Sequence, residues 1–393
     1  MSSRFFLKEV VGKDDKKEFL DYPSRLYHKE KRWIRPLDDE VEKIFDPERN
    51  KLFKTGEAVR WLLKDKQEQT VGRMAAFYDK RTSQKYEQPT GGIGFFDCIH
   101  DQEAANTLFR AGENWLRSKG MEAMDGPVNF GDRDNFWGCL KEGFYENTFN
   151  MPYNFPYYNE LFENYGFKNY FNQYVYYKKI SEGASDLSHA KALRILKNPD
   201  YRFDIFRWKR FEKYAEDFLI IYNKAWARFP GVSAIKLPKA KALLHALKPV
   251  IDKRTMIFGY YKNEPIGFYI MIPDINQIIK NFNGKLHWMN KIRLFLGLKI
   301  FHKTNRLLGL IFGVVPEHQR KGVESALIYR FEKESAKPGF PYVHLEMNWI
   351  GDFNPAMMKM VERYVEASIY KTYVTYRLFF DRNKPFKRAA KVR

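Results

Sequence analysis

Apolar positions recur with a period of two in some stretches of the chain and with a helical period in others, and the two kinds interleave. Period-two runs at 58–64 and 70–78, joined by a polar turn, predict a β-hairpin. A second pair, 256–262 and 266–272 around the turn KNEP, predicts another hairpin at an offset of about 195 residues. After each hairpin the pattern predicts strand, helix and strand: 93–98, 102–118 and 122–126, then 307–315, 323–335 and 342–349. Each half closes on a helix and a strand, 156–178 and 355–377. These match at a constant offset of 199, with six identities in 23 positions. Tyr174/Tyr373, Val175/Val374 and Tyr177/Tyr376 are among them. The order predicts an α+β protein, duplicated, each copy a mixed sheet flanked by helices. Residues 1–182 form the first domain and 183–200 a linker. Residues 201–381 form the second domain, with an insertion at 274–306, and 382–393 a basic tail.

With 44% hydrophobic and 17% aromatic residues in 393, each half can bury a core, which excludes wholesale disorder. Cys98 and Cys139 are the only cysteines, too few for a disulfide scaffold or a structural zinc cluster; no histidine motif supplies ligands either, so no metal is expected. There is no apolar run long enough to span a bilayer, and the opening MSSRFFLKEVVGKDD lacks the apolar segment of a secretory signal. A cytoplasmic protein is expected.

The net charge of +20 predicts attraction to anions: nucleic acid, a membrane surface, or a phosphorylated cofactor or acidic carrier protein. Its placement narrows the choice. Residues 274–306 hold seven Lys/Arg and one acid, interleaved with Trp288, Met289, Ile292, Leu294, Phe295, Leu296 and Phe301. The tail from 382 adds six Lys/Arg and no acid. This combination predicts a peripheral element for an anionic membrane at its inner face. Apolar residues surround the axis of that helix, a pattern that equally suits packing on the protein body. Nucleic acid is disfavoured, because no RNA-binding signature is present.

The segment 310–329, LIFGVVPEHQRKGVESALIY, carries the clearest chemistry. A strand ending in Val314 and Val315 meets a charged loop with Gln319, Arg320, Lys321 and Gly322. A helix then opens with Val323, Glu324 and Ser325. Such a junction turns backbone N–H groups and a helix N-terminus toward an anion. Glycine at 322 allows close approach, and Arg320 and Lys321 add charge. The segment resembles motif A of the GCN5-related N-acetyltransferases (GNAT), with its V-x-P and [Q/R]-x-x-G-x-[G/A]. Gln319 and Gly322 match, whereas Glu324 stands where the family has Gly or Ala, and its carboxylate competes with a pyrophosphate.

The resemblance implies two tandem acyl-CoA N-acyltransferase domains. The co-substrate would be acetyl-CoA or a longer acyl-CoA, bound in the second half, and the acceptor an amine. The amides of Val314 and Val315 would polarise the thioester carbonyl. Strand 342–349 would align His344, Glu346 and Asn348 on one face, with Glu346 either the base or a carboxylate merely paired with a nearby Lys or Arg, His344 the second choice of base, and Asn348 toward the acceptor. Asn354 would open the next helix beside the co-substrate. The family's general-acid tyrosine is absent, replaced by Phe162 in one half and Val361 in the other. In the first half the counterpart of motif A, 95–104, has no glycine and carries Asp97, Asp101 and Glu103, so it should not hold coenzyme A. Asp97 is instead assigned to the acceptor, with Asn129, Asp132 and Asp134 of the loop 126–144. Over nearly its whole length, through YPSRLYHKEKRWIRPL, GMEAMDGPVN, MPYNFPYYNELFENYGF and EMNWIGDFNP, the chain resembles a bacterial double-GNAT group often called YghO-like. It also resembles bacterial ceramide synthases, which acylate a sphingoid base, and this implies a lipid amine acceptor. Two alternatives stand beside this reading: a Fem-type transferase using aminoacyl-tRNA, and a catalytically silent binding module.

Overall fold

The computed structural model describes residues 4–84, 87–226 and 234–391, so the last two residues of the basic tail lie outside the described residues. Strands β1 (Phe5–Glu9), β2 (Gly56–Asp65), β3 (Thr70–Asp79), β4 (Thr90–Cys98), β5 (Ala123–Gly126), β6 (Cys139–Glu142) and β7 (Lys168–Lys179) come from the first half. Strands β8 (Tyr201–Ile205), β9 (Met256–Tyr261), β10 (Glu264–Pro273), β11 (Arg306–Val314), β12 (His344–Gly351) and β13 (Ser368–Phe379) come from the second. The expected hairpins are β2–β3 and β9–β10. The second turns on Lys262 and Asn263, both left-handed (φ 48° and 69°), the conformation of a tight two-residue hairpin loop. Helices Gln102–Ser118 and Val323–Ser335 occupy the positions expected of them.

The strands join in one continuous sheet, in the order β1-β2-β3-β4-β5-β13-β7-β12-β11-β10-β9-β8, with β6 also pairing to β13. The mixed sheets expected of the two halves are present and are joined into one by a strand exchange. The last strand of each half pairs with the fifth strand of the other: β13 with β5, and β7 with β12. At the centre β7 and β13 run antiparallel, and Asn169 faces Tyr376 as Tyr177 faces Ser368. Those two pairs are interchanged by the 199-residue offset, so a local two-fold relates the halves. Both cores are therefore composite. Val374, Tyr376 and Leu378 of β13 lie in the core of the first half with Ile93, Phe109 and Phe162. Tyr176 of β7 lies in that of the second with Phe258, Phe268 and Leu327.

The linker expected at 183–200 is instead a structural helix, Asp186–Leu196, capped by Ser185 through the Ser188 N–H (3.1 Å) and packed on Val323–Ser335. The tail folds back: Arg382 pairs with Glu113 (2.8 Å), Arg388 with Asp352 (2.6 Å), and Phe386 packs against Phe379. No described helix is long and apolar enough to cross a membrane.

Candidate acyl-transfer site

In both halves the fourth and fifth strands run parallel only briefly and then diverge. The pairing of β11 with β12 ends at Gly309↔Met347, and a bulge next to this point offsets β11 against β10. Beyond the split, Leu310, Ile311 and Phe312 are half-exposed. On the other wall, Asn348 and Trp349 are half-exposed at an irregularity between β12 and β7. The Val315 N–H donates to Ile266 O (2.9 Å) and is committed to β10, which corrects its assignment to a carbonyl. By strand alternation the N–H groups of Val314 and Phe312 point the other way, into the split.

At the end of the split the chain turns through Pro316–His318 and the expected loop. Gln319 Nε2 donates to Val314 O (2.9 Å) and pins the loop to the strand end. Arg320 (φ 61°) and Gly322 (φ 101°) are left-handed, and Gly322 is the N-cap of Val323–Ser335, with no side-chain cap. A Cβ at 322 would lie 3.1 Å from Lys191 O, so glycine serves the packing of helix Asp186–Leu196 as well as the turn. Arg320 and Lys321 are exposed, and Val323 and Ser325 are buried in the first helical turn. The Glu324 carboxylate accepts from the Arg320 N–H (3.3 Å), an internal anion at the helix N-terminus. Its burial holds it above the ordinary carboxylate range. Lys191 stands beside this carboxylate and donates from Nζ to the Tyr364 hydroxyl. Lys191 was hidden in the supposed linker. The Ser185 cap ahead of eleven residues free of Gly and Pro was the signal for its helix.

The side chains expected to do the chemistry fall into different places. Glu346 is 2% exposed; its Oε2 accepts from Lys371 Nζ (2.9 Å), and its Oε1 lies 3.2 Å from Arg306 Nε. Arg306 in turn lies 3.4 Å from the buried Asp274, whose burial pushes its carboxyl up to about 6. This ion cluster joins β11, β12, β13 and the neck of the insertion. His344 is bonded to the Tyr177 hydroxyl (2.7 Å), and burial, with Arg306 and Lys179 nearby, holds its imidazole below the ordinary value. Asn354 caps the helix Pro355–Met360 through the Met357 N–H (3.2 Å). Asp97 is buried in the first half, bonded to Arg73 (2.7 Å), Tyr27 (2.9 Å) and Tyr158 (3.3 Å); the core, not an acceptor cleft, is where it belongs.

The loop following β5 does reach the second half. Trp349 Nε1 donates to Arg133 O (3.2 Å), which fixes the loop against β12 at the split. Asp134 remains accessible to solvent, yet protein crowds it, and this, with Asp132 beside it, pushes its carboxyl up to about 6. Both aspartates act on Tyr222 of helix Phe211–Trp226, which packs on β10 and β11. Asn129 and Asp132 line a cavity of about 300 Å³ with Glu40, Asn50 and Asn150. Tyr222 carried no motif, and the reach of the loop 126–144 to the second half is seen only in the structure.

In the first half the same split is closed. The Val128 N–H donates to Ile93 O (2.8 Å), and Val128 O lies so near Gly94 that a Cβ there would be 1.8 Å away. Phe77, Phe95, Phe130 and Phe136 pack around it. The following helix is capped by its own Asp101 through the Ala104 N–H (3.0 Å), and Arg4 pairs with Asp101 and Glu103 (2.9 Å each).

No family model matches the chain. It is 27% identical over 385 residues to Protein YghO of Escherichia coli (strain K12), covering 96% of each chain. It is 26% identical over 370 residues to the bacterial ceramide synthase of Caulobacter vibrioides, covering 92% of this chain and 94% of that one. Among solved structures it resembles a tandem GNAT protein from the clavulanic acid biosynthesis pathway, with TM-score 0.53, 8% identity, and 95% and 98% of the two chains covered. It also resembles a GCN5-related N-acetyltransferase from Sphaerobacter thermophilus, with TM-score 0.51, 9% identity and both chains fully covered. A third resemblance is to the glucosamine N-acetyltransferase region of a fungal GH3 β-N-acetylglucosaminidase (TM-score 0.54, 10% identity), where the match spans 96% of this chain and 38% of that one. The fold is the tandem GNAT fold.

Proposed function

We infer that the protein moves an acyl group from an acyl-CoA thioester, held in the split of the second half, to the nitrogen of an amine. The observation that carries this reading is the contrast between the two splits, one filled by its own chain and one with half-exposed walls ending in an uncapped helix N-terminus. Arg320, Lys321 and Lys191 would face the phosphates, while the Val314 and Phe312 N–H groups would polarise the carbonyl. The amine attacks the carbonyl carbon, the C–S bond breaks, the thiolate leaves, and the proton lost by nitrogen goes to Asp134. Asp134 suits that task better than Glu346, because it is accessible, whereas Glu346 is tied to two cations. The resemblance to bacterial ceramide synthase supports a lipid amine as acceptor. A silent binding module is the second reading, favoured by the Glu324 carboxylate in the loop.

Hydrogen–deuterium exchange with acetyl-CoA or a long-chain acyl-CoA tests the first reading. Protection confined to 312–326 is expected; none there with either ligand would refute it.

A further inference from the structure

Eighteen large apolar side chains are strongly exposed among the described residues, and seven of them fall within the fourteen positions 288–301. They are Trp288 (69% exposed), Met289, Ile292, Phe295 (55%), Leu296, Ile300 and Phe301 (62%). The sequence pattern had left open a helix packed on all sides. The structure divides the helix Trp288–Lys299 in two: Asn290, Leu294, Gly297 and Leu298 turn inward, and Leu294 and Leu298 join Leu37, Ile275, Ile278 and Phe282. Gly297 permits the close approach, since a Cβ there would sit 3.0 Å from Ile278 Cδ1. The outward side keeps its apolar groups in water, with Lys291, Arg293, His302 and Lys303 exposed among them.

We propose that this outward face of 288–303 docks the protein on an anionic bilayer surface, its apolar side chains entering the headgroup region and its cations meeting lipid phosphates. Charge selects the occupant. No acidic residue lies between 275 and 305, so a second copy presenting the same face would oppose cation to cation. An anionic surface meets both the charge and the apolar area. The neck of the insertion, Asp274 and Arg306, lies three residues from the split, about 10 Å along β11. Docking there brings the split close to the bilayer; that consequence rests on the acyl-transfer reading, the docking itself does not.

Flotation of the full chain with phosphatidylcholine vesicles, with and without about a third phosphatidylglycerol, tests the proposal at low and at 1 M salt. Binding to the anionic vesicles is expected. It should weaken at high salt, because screening there acts within about 3 Å. Replacing exposed side chains, Ile292→Glu with Phe295→Glu, should lower the bound fraction at least tenfold while acyl-CoA affinity in solution stays unchanged. Wild-type protein that does not float on anionic vesicles at low salt overturns the proposal. So does a wild-type dimer in sedimentation that the same double variant converts to monomer. An acyl-CoA titration of the wild type separates this failure from a failure of the acyl-transfer reading.

Discussion

The two halves share an order of elements and a sheet, yet only in one does the split between the fourth and fifth strands stay open. In the first, the chain after β5 adds one more hydrogen bond to β4 and lays aromatic rings around it, while Asp101 caps the helix beyond. In the second, pairing stops at Gly309↔Met347, the strand edge stays half-exposed, and Gly322 leaves the helix N-terminus without a side-chain cap. A duplicated fold thus opens or closes this split by local means: the course of the chain after the fifth strand, and the residue that caps the helix. The closed half is not idle, for its loop carries Asp132 and Asp134 to the open one.

The most drastic way to break this comparison is to separate the halves. Residues 1–182 expressed alone lack β13, and with it Val374, Tyr376 and Leu378 of their core. Loss of cooperative unfolding is expected, read by calorimetry; a stable isolated half would show the exchange to be dispensable. Next in size is the contrast between two carboxylates. Asp134→Asn should lower turnover by about 10²–10⁴. In the native protein, activity should be lost as pH falls through about 6, where Asp134 takes up a proton. Tyr222, Asp132 and Arg133 face the same group, so the pH profile of Asp132→Asn should shift downward rather than vanish. Glu346→Ala should act on stability instead, leaving Lys371 buried without its counter-charge and Arg306 with Asp274 alone, at a cost of about 3–5 kcal/mol in thermal unfolding. The smallest expected effect sharpens the comparison most. Glu324→Ala removes the anion that sits at the open helix terminus and should tighten acyl-CoA binding by about two- to fivefold, the size of a helix-terminus charge effect. Weaker binding, measured by calorimetric titration, would mean that the carboxylate shapes the loop for its ligand.

By itself the sequence determined the elements, their duplication and the strand–loop–helix junction at 310–329. Helices Gln102–Ser118 and Val323–Ser335 and both hairpins follow from local periodicity and turn chemistry, which act over a few residues. The unequal halves were legible too, in Gly322 against Asp101. Only the tertiary structure decided which charges are free. Period-two alternation put Glu346 on a face with His344 and Asn348. It left open a pairing with Lys or Arg but could not name the partners, Arg306 and Lys371, 40 residues upstream and 25 downstream. Asp97 was misplaced for the same reason, its partners Arg73, Tyr27 and Tyr158 being spread over the first half. The exchange of β7 and β13 is likewise silent in the pattern, because an alternating strand fits either sheet edge. Its place is set by pairing with residues some 170 to 250 positions away. Local sequence fixes conformation through short-range sterics and hydrogen bonding. Burial and charge pairing depend on distant neighbours, so which carboxylates stay unpaired and which face of the insertion is exposed emerge only once the chain has closed on itself.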